Sequence, residues 1–192
     1  TLWAYSEEGQ RMPKIIENVE EKAFKNVIDL INENGFKNTS MKMIADKTGI
    51  AVGTLYNYFS NKEDLIFYVI KRSWNQSFKK LDSILEKDLS AEKKLEKFII
   101  TLYKEISARK VIGRELIQNN IIEKEKFAEI KEILITKFEE LFKILENENF
   151  NLDLEEKRLI DTIFVTISNL SNLYDDEKKN IDYLKKFSRK LI

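Results

Sequence analysis

Residues 35–62 read GFKNTSMKMIADKTGIAVGTLYNYFSNK, and the spacing of their small, turn-forming and aliphatic residues decides the fold. Thr39 or Ser40 is placed to cap a helix, because either hydroxyl can accept a bond from an otherwise unpaired first-turn amide. The helix that follows, Met41 to Thr48, is only two turns long, with Ala45 on its inner face and Gly49 as the turn. A second short helix is expected over Ala51 to Phe59, burying Leu55. Two short helices crossing near a right angle need a small residue where their backbones meet. They also need a glycine in the tight turn and a large aliphatic to fill the angle. Ala45, Gly49 and Leu55 supply these in order, which predicts a helix-turn-helix whose second helix is offered to a DNA major groove.

Charge agrees with this reading. From Phe36 to Lys62 there are four lysines (Lys37, Lys42, Lys47, Lys62) and one acid, Asp46, a local net charge of +3 in a chain whose overall charge is zero. The second helix carries no charge. It displays Thr54, Tyr56, Asn57 and Tyr58, which can bond phosphates or base edges, while Ala51 and Val52 can touch thymine methyl groups. Lys62 opens the next helix, where its ammonium and the first amides are expected to hold a phosphate.

Outward from this stretch the chain reads as helix throughout. Upstream, residues 1–12 form a flexible lead-in, Pro13 opens a helix, and Ile16, Val19, Ala23, Phe24, Val27, Leu30 and Ile31 make one apolar stripe. Gly35 ends it in a left-handed cap, with Phe36 folding back on the last turn. Downstream, helices are expected over Lys62–Glu86, Ala91–Ala108 behind Ser90, Glu123–Glu148, Leu154 to about Tyr174 behind Asn151 or Asp153, and from Asp175–Asp176 to Leu191. Gly113 marks a break with a short segment after it. The expectation is an all-α chain of about nine helices in two parts, 13–61 and 62–192.

Composition narrows the function. With no cysteine and no histidine, the chain has no thiolate nucleophile, imidazole base, zinc finger or disulfide. The acids sit in helix-surface contexts such as Glu139-Glu140 with Lys143, and no carboxylate pair suggests hydrolysis. Neither an enzyme nor a bound metal or cofactor is expected. No apolar run approaches the roughly 18 residues of a membrane span, and the N-terminus lacks the pattern of a secretory signal, so a cytoplasmic location is expected.

The run TSMKMIADKTGIAVGTLYNYFSNKEDLIFYVI, with the preceding helix and Gly35-Phe36, resembles the DNA-binding region of the TetR family of bacterial transcriptional regulators over roughly 55 residues. The resemblance implies a homodimer on a palindromic operator in double-stranded DNA, and a helical C-terminal domain whose small-molecule effector releases it. By position, Thr39 and Ser40 would meet phosphates, Ala51, Val52, Gly53, Thr54, Tyr56 and Asn57 would face the groove, and Tyr58 and Lys62 would anchor the backbone. Members often carry Ser-Lys where this chain has Ala51-Val52, and His where it has Asn57. Loss of that lysine removes one phosphate or base contact.

The second part is less specific. Trp74, Phe78, Phe98, Tyr103, Asn119, Phe138 and Phe142 are the candidates for an apolar ligand pocket, although residue by residue the core reading is the stronger one. Ile160, Ile163, Phe164, Ile167 and Leu170, with Leu184, Phe187 and Leu191 on the last helix, are the candidate dimer face of a four-helix interface. Two rival readings are a helical protein-interaction module without DNA binding and a cofactor-free helical enzyme.

Overall fold

A computed structural model describes residues 26–118, 124–150 and 155–192. The lead-in, Pro13, the first half of the first helix, Asn119, and the capping candidates Asn151 and Asp153 lie outside these residues. Among the described residues there are nine helical segments and no strand. They are α1 (residues 26–34), α2 (Met41–Thr48), α3 (Val52–Tyr56), α4 (Lys62–Leu85), α5 (Ala91–Ala108), α6 (Lys110–Gln118), α7 (Lys124–Asn147), α8 (Glu156–Leu173) and α9 (Glu177–Ser188). None of the described helices is long and apolar enough to cross a membrane.

The chain gathers into two compact units, and the division falls between Ser73 and Trp74, inside α4. The first unit holds the chain up to Ser73 together with the segment that begins at Val111. The second holds Trp74–Lys110 and the chain from α7 onward. The boundary expected at 61/62 follows the start of a helix, whereas packing divides that helix between the units.

In the first unit α1 ends at Gly35, whose φ of 78° is the left-handed conformation glycine adopts without a Cβ clash. Its amide bonds the Ile31 carbonyl at 2.8 Å, and Phe36 is buried.

In the second unit α5 packs against α7, α8 and α9. Its core includes Phe98, Leu102, Phe138, Leu141, Ile163, Ile167 and Leu184, all with no exposed surface. Two ends are closed differently from expectation. Ser90 precedes α5 but makes no capping bond with its side chain; instead the Ala91 amide donates to Glu148 Oε2 at 2.9 Å, from just past α7. A carboxylate at a helix N-terminus satisfies an orphan amide and the positive end of the helix dipole together. Gly113 is no break: α6 runs through it, and a Cβ there would meet nothing among the described residues within 4 Å. At α9 the expected acidic start is present, with Asp176 Oδ1 accepting from the Lys179 amide at 3.0 Å.

Candidate nucleic-acid interface

Ser40 caps α2, its hydroxyl accepting from the Met43 amide at 3.2 Å. Gly49 ends the helix with φ 72°, its amide bonded to the Ala45 carbonyl. That left-handed residue strains any L side chain, so the turn depends on glycine. Beneath the turn Ile44, Ala45, Leu55 and Phe59 are buried, and α2 and α3 pack on each other. The second helix is shorter than the expected Ala51–Phe59. No side chain caps it at Ala51, and after Tyr56 only single bonds continue the spiral, such as Phe59 amide to Leu55 carbonyl at 2.9 Å.

The α3 surface is open. Ala51, Val52, Gly53, Tyr56, Asn57 and Tyr58 are exposed and Thr54 is half-buried. Val52, Tyr56 and Tyr58 are 41%, 56% and 38% exposed within seven residues of one another, and it is such a grouping, more than any single exposed apolar residue, that marks a contact surface. Among the described residues a Cβ at Gly53 would meet nothing within 4 Å, so their packing does not require glycine there. Lys37, Lys42 and Lys47 are exposed around the pair; Lys47 lies 4.0 Å from Glu33, both well solvated, a pairing worth little in water.

Two expected phosphate contacts are placed elsewhere. Thr39 is only 2% exposed, and its hydroxyl donates to the Gly35 carbonyl at 2.9 Å. Lys62 turns inward: its ammonium donates to the carbonyls of Phe36 and Thr39, each at 2.8 Å, and lies 4.2 Å from the centre of the Phe36 ring. Both side chains serve the turn between α1 and α2.

Residues 28–69 match the family described as bacterial regulatory proteins, tetR family. Over those residues the chain is similar to the N-terminal region of the TetR family. An HTH-type transcriptional regulator of Staphylococcus aureus is 48% identical over 59 residues, 31% of this chain and 30% of that protein. The fatty acid metabolism regulator protein of Bacillus subtilis is 28% identical over 125 residues, 63% of this chain and 62% of that one. The chain therefore aligns with less than two thirds of either relative's length. The crystal structure of the FadR regulator from Bacillus subtilis in complex with stearoyl-CoA superposes with a TM-score of 0.69 at 20% identity, covering 88% of this chain and 95% of that one. That likeness extends the TetR-type fold through the second unit.

In the second unit, the pocket candidates divide. Phe98, Phe138 and Phe142 join Phe164 in one aromatic cluster, with Phe138 centred 4.9 Å from Phe98 and 5.8 Å from both others. Trp74 and Phe78 stack at 5.8 Å, and Trp74 also faces the Arg109 guanidinium at 4.7 Å. Tyr103 is 3% exposed, and its hydroxyl accepts from Asn180 Nδ2 at 2.9 Å. Asn119 lies outside the described residues.

Sequence reasoning passed over the polar groups that organise this unit. Asn180 also donates to the Leu170 and Tyr174 carbonyls at 3.1 and 2.9 Å, tying the α8–α9 corner to α5. Arg109 closes the end of α5: it donates to Glu105 Oε2 at 3.1 Å and to Ser77 Oγ at 2.8 Å. Lys80 meets the other Glu105 oxygen at 2.6 Å. Burial alone would raise the Glu105 carboxyl, but Lys80, Ser77 and Arg109 together hold it below its ordinary value. Burial lowers the Arg109 guanidinium, and Glu105 offsets part of that. The one available signal was the i, i+4 spacing of Asn180, Leu184 and Ser188, which are the buried residues of α9.

Four of the eight candidate dimer residues need correction, because their side chains have no surface left to offer a partner. Ile160, Ile163, Ile167 and Leu184 are buried inside their own unit. Phe164 is half-buried against Phe138, and Leu170, Phe187 and Leu191 are half-buried. The apolar groups that α8 and α9 leave in the open are Val165, Leu173, Tyr174 and Tyr183, each more than half exposed.

Proposed function

We propose that this chain is a DNA-binding transcriptional regulator that acts as a homodimer on a palindromic operator, with a long-chain fatty acyl-CoA as the ligand that sets its affinity. The observation that carries the DNA reading is the α3 surface. A short helix without charge and the two residues after it leave an aliphatic, two tyrosines, an asparagine and an open glycine uncovered, with exposed lysines on and just before α2. This is the division of labour a duplex needs, with cations for phosphates and neutral groups for base edges. A five-residue helix reaches few base pairs, so useful specificity requires two half-sites and hence two subunits. Val165, Leu173, Tyr174 and Tyr183 are the surface proposed to join them.

The ligand class rests on the similarity to a fatty acid metabolism regulator and to a fold that holds stearoyl-CoA. The apolar interior around Phe98, Phe138 and Phe142 is chemically suited to an acyl chain once opened. The chain acts in the cytoplasm and carries out no reaction; its relatives are regulators.

Binding of the full chain to a duplex selected from random sequence tests the reading. Salt-dependent binding that weakens when stearoyl-CoA is added, but not when coenzyme A alone is added, is expected. Absence of salt-dependent binding to any selected duplex overturns the DNA reading, and indifference to stearoyl-CoA overturns the ligand. Leu173→Glu is expected to shift sedimentation toward monomer and to weaken duplex binding with it.

A further inference from the structure

Lys62 occupies the first residue of α4, where the amides of a helix start and a lysine together make a phosphate site. The surroundings there do not suit an anion. Asn61 Oδ1 already accepts from the Asp64 amide at 2.8 Å, and Glu63 and Asp64 place two carboxylates in the first turn. The ammonium points away, into the turn before α2. Two carbonyls at 2.8 Å and the Phe36 ring at 4.2 Å surround it. The same turn is closed by the Thr39 hydroxyl on the Gly35 carbonyl at 2.9 Å and by the Thr39 amide on the Phe36 carbonyl at 3.2 Å. Ser40, the next residue, caps α2.

We infer that Lys62 is a positioning residue for the DNA-binding surface: its ammonium gathers the 36–39 turn, fixing where α2 begins and so how α3 is presented, and it does not bind phosphate. The carbonyls converge on one point, and their dipoles repel one another unless a cation lies between them. An ammonium with three donors fills that role, and the ring face adds cation–π attraction. Without it the turn opens, and the Ser40 cap that starts α2 loses its fixed position.

This inference rests on the DNA-binding reading, and salt dependence separates the two. The full wild-type chain and its Lys62→Met and Thr39→Val variants are titrated, across a salt series, against a duplex selected by the wild type. Circular dichroism at the assay temperature confirms folding. Lys62→Met is expected to bind about tenfold more weakly, the size of losing one good base contact, with its log–log salt slope unchanged. Thr39→Val, which disturbs the same turn without altering charge, is expected to weaken binding in the same way by a smaller factor. A Lys62→Met slope shallower by about 0.9, the signature of one lost phosphate contact, overturns the inference, as does unchanged affinity in a folded variant. If Lys62→Met fails to fold, Thr39→Val decides: weaker binding at constant slope supports the inference, and wild-type affinity overturns it. A wild type that binds no duplex removes the DNA reading itself, and the positioning role with it.

Discussion

The two units each set a cation against an aromatic ring, half-buried in the first and buried in the second, and they use it differently. In the first, Lys62 lies over Phe36 and is satisfied by neutral carbonyls. In the second, Arg109 lies over Trp74 and is paired with a carboxylate. The first arrangement shapes a turn whose neighbouring surface stays bare. The second closes a helix end inside a unit rich in fully buried side chains. A cation among carbonyls fixes backbone geometry, whereas a cation–carboxylate pair with little exposed surface is costly to break from either side. The first unit is therefore expected to respond to substitution chiefly in affinity, and the second chiefly in stability.

The contrast is tested most severely in the aromatic cluster. Phe138→Ala is expected to cost about 4 kcal/mol in chemical denaturation, because the ring has no exposed surface and touches three others. A loss below that of an ordinary surface change would dissolve the distinction.

Glu105→Gln comes next, at about 3 kcal/mol near neutral pH, since it leaves the Arg109 charge without its carboxylate. Its pH dependence has a definite sign. The folded carboxyl lies below its ordinary value of 4.5, so its contribution is fully present above that value and disappears as pH falls through the folded value. Thermal melts of wild type and variant are expected to differ most near neutrality and to converge in acid. A gap that widens on acidification contradicts the assignment.

Asn180→Ala is expected to cost about 2 kcal/mol by leaving buried polar groups without a donor, a loss read by the same melts. The smallest effect belongs to the exposed surface. Tyr56→Ala is expected to leave the melting curve unmoved and to weaken duplex binding by about 1 kcal/mol. A stability loss larger than the affinity loss would mean that Tyr56 belongs to the packing rather than to the DNA-facing surface.

The bounds of α2 were legible because both signals are local: a hydroxyl cap at Ser40 and a left-handed glycine at Gly49, each acting within a turn of its own position. The openness of α3 was legible for the same reason, since Leu55 and Phe59 fix which side faces inward. The fate of Lys62 was not, because its carbonyl partners stand 26 and 23 residues away. Periodicity found the apolar stripe of α8 but was silent on what covers it, so side chains that fill their own unit looked available to a twin. On α9 the apolar pattern points to Leu184, Phe187 and Leu191, while burial selects Asn180, Leu184 and Ser188. Apolarity does not identify an asparagine whose inward place comes from bonds to α5 and to the chain's own corner.

The amide that starts α5 finds its acceptor 57 positions later, at Glu148, and Tyr103 finds its donor 77 positions later, at Asn180. A nascent chain leaving the ribosome therefore holds everything the Lys62 turn requires long before α5 can be finished at either point. Synthesis and maturation are decoupled by that delay. The surface proposed for DNA takes shape while the segment proposed to govern it is still being made, and a polypeptide interrupted short of Glu148 would emerge with the former and an incomplete version of the latter.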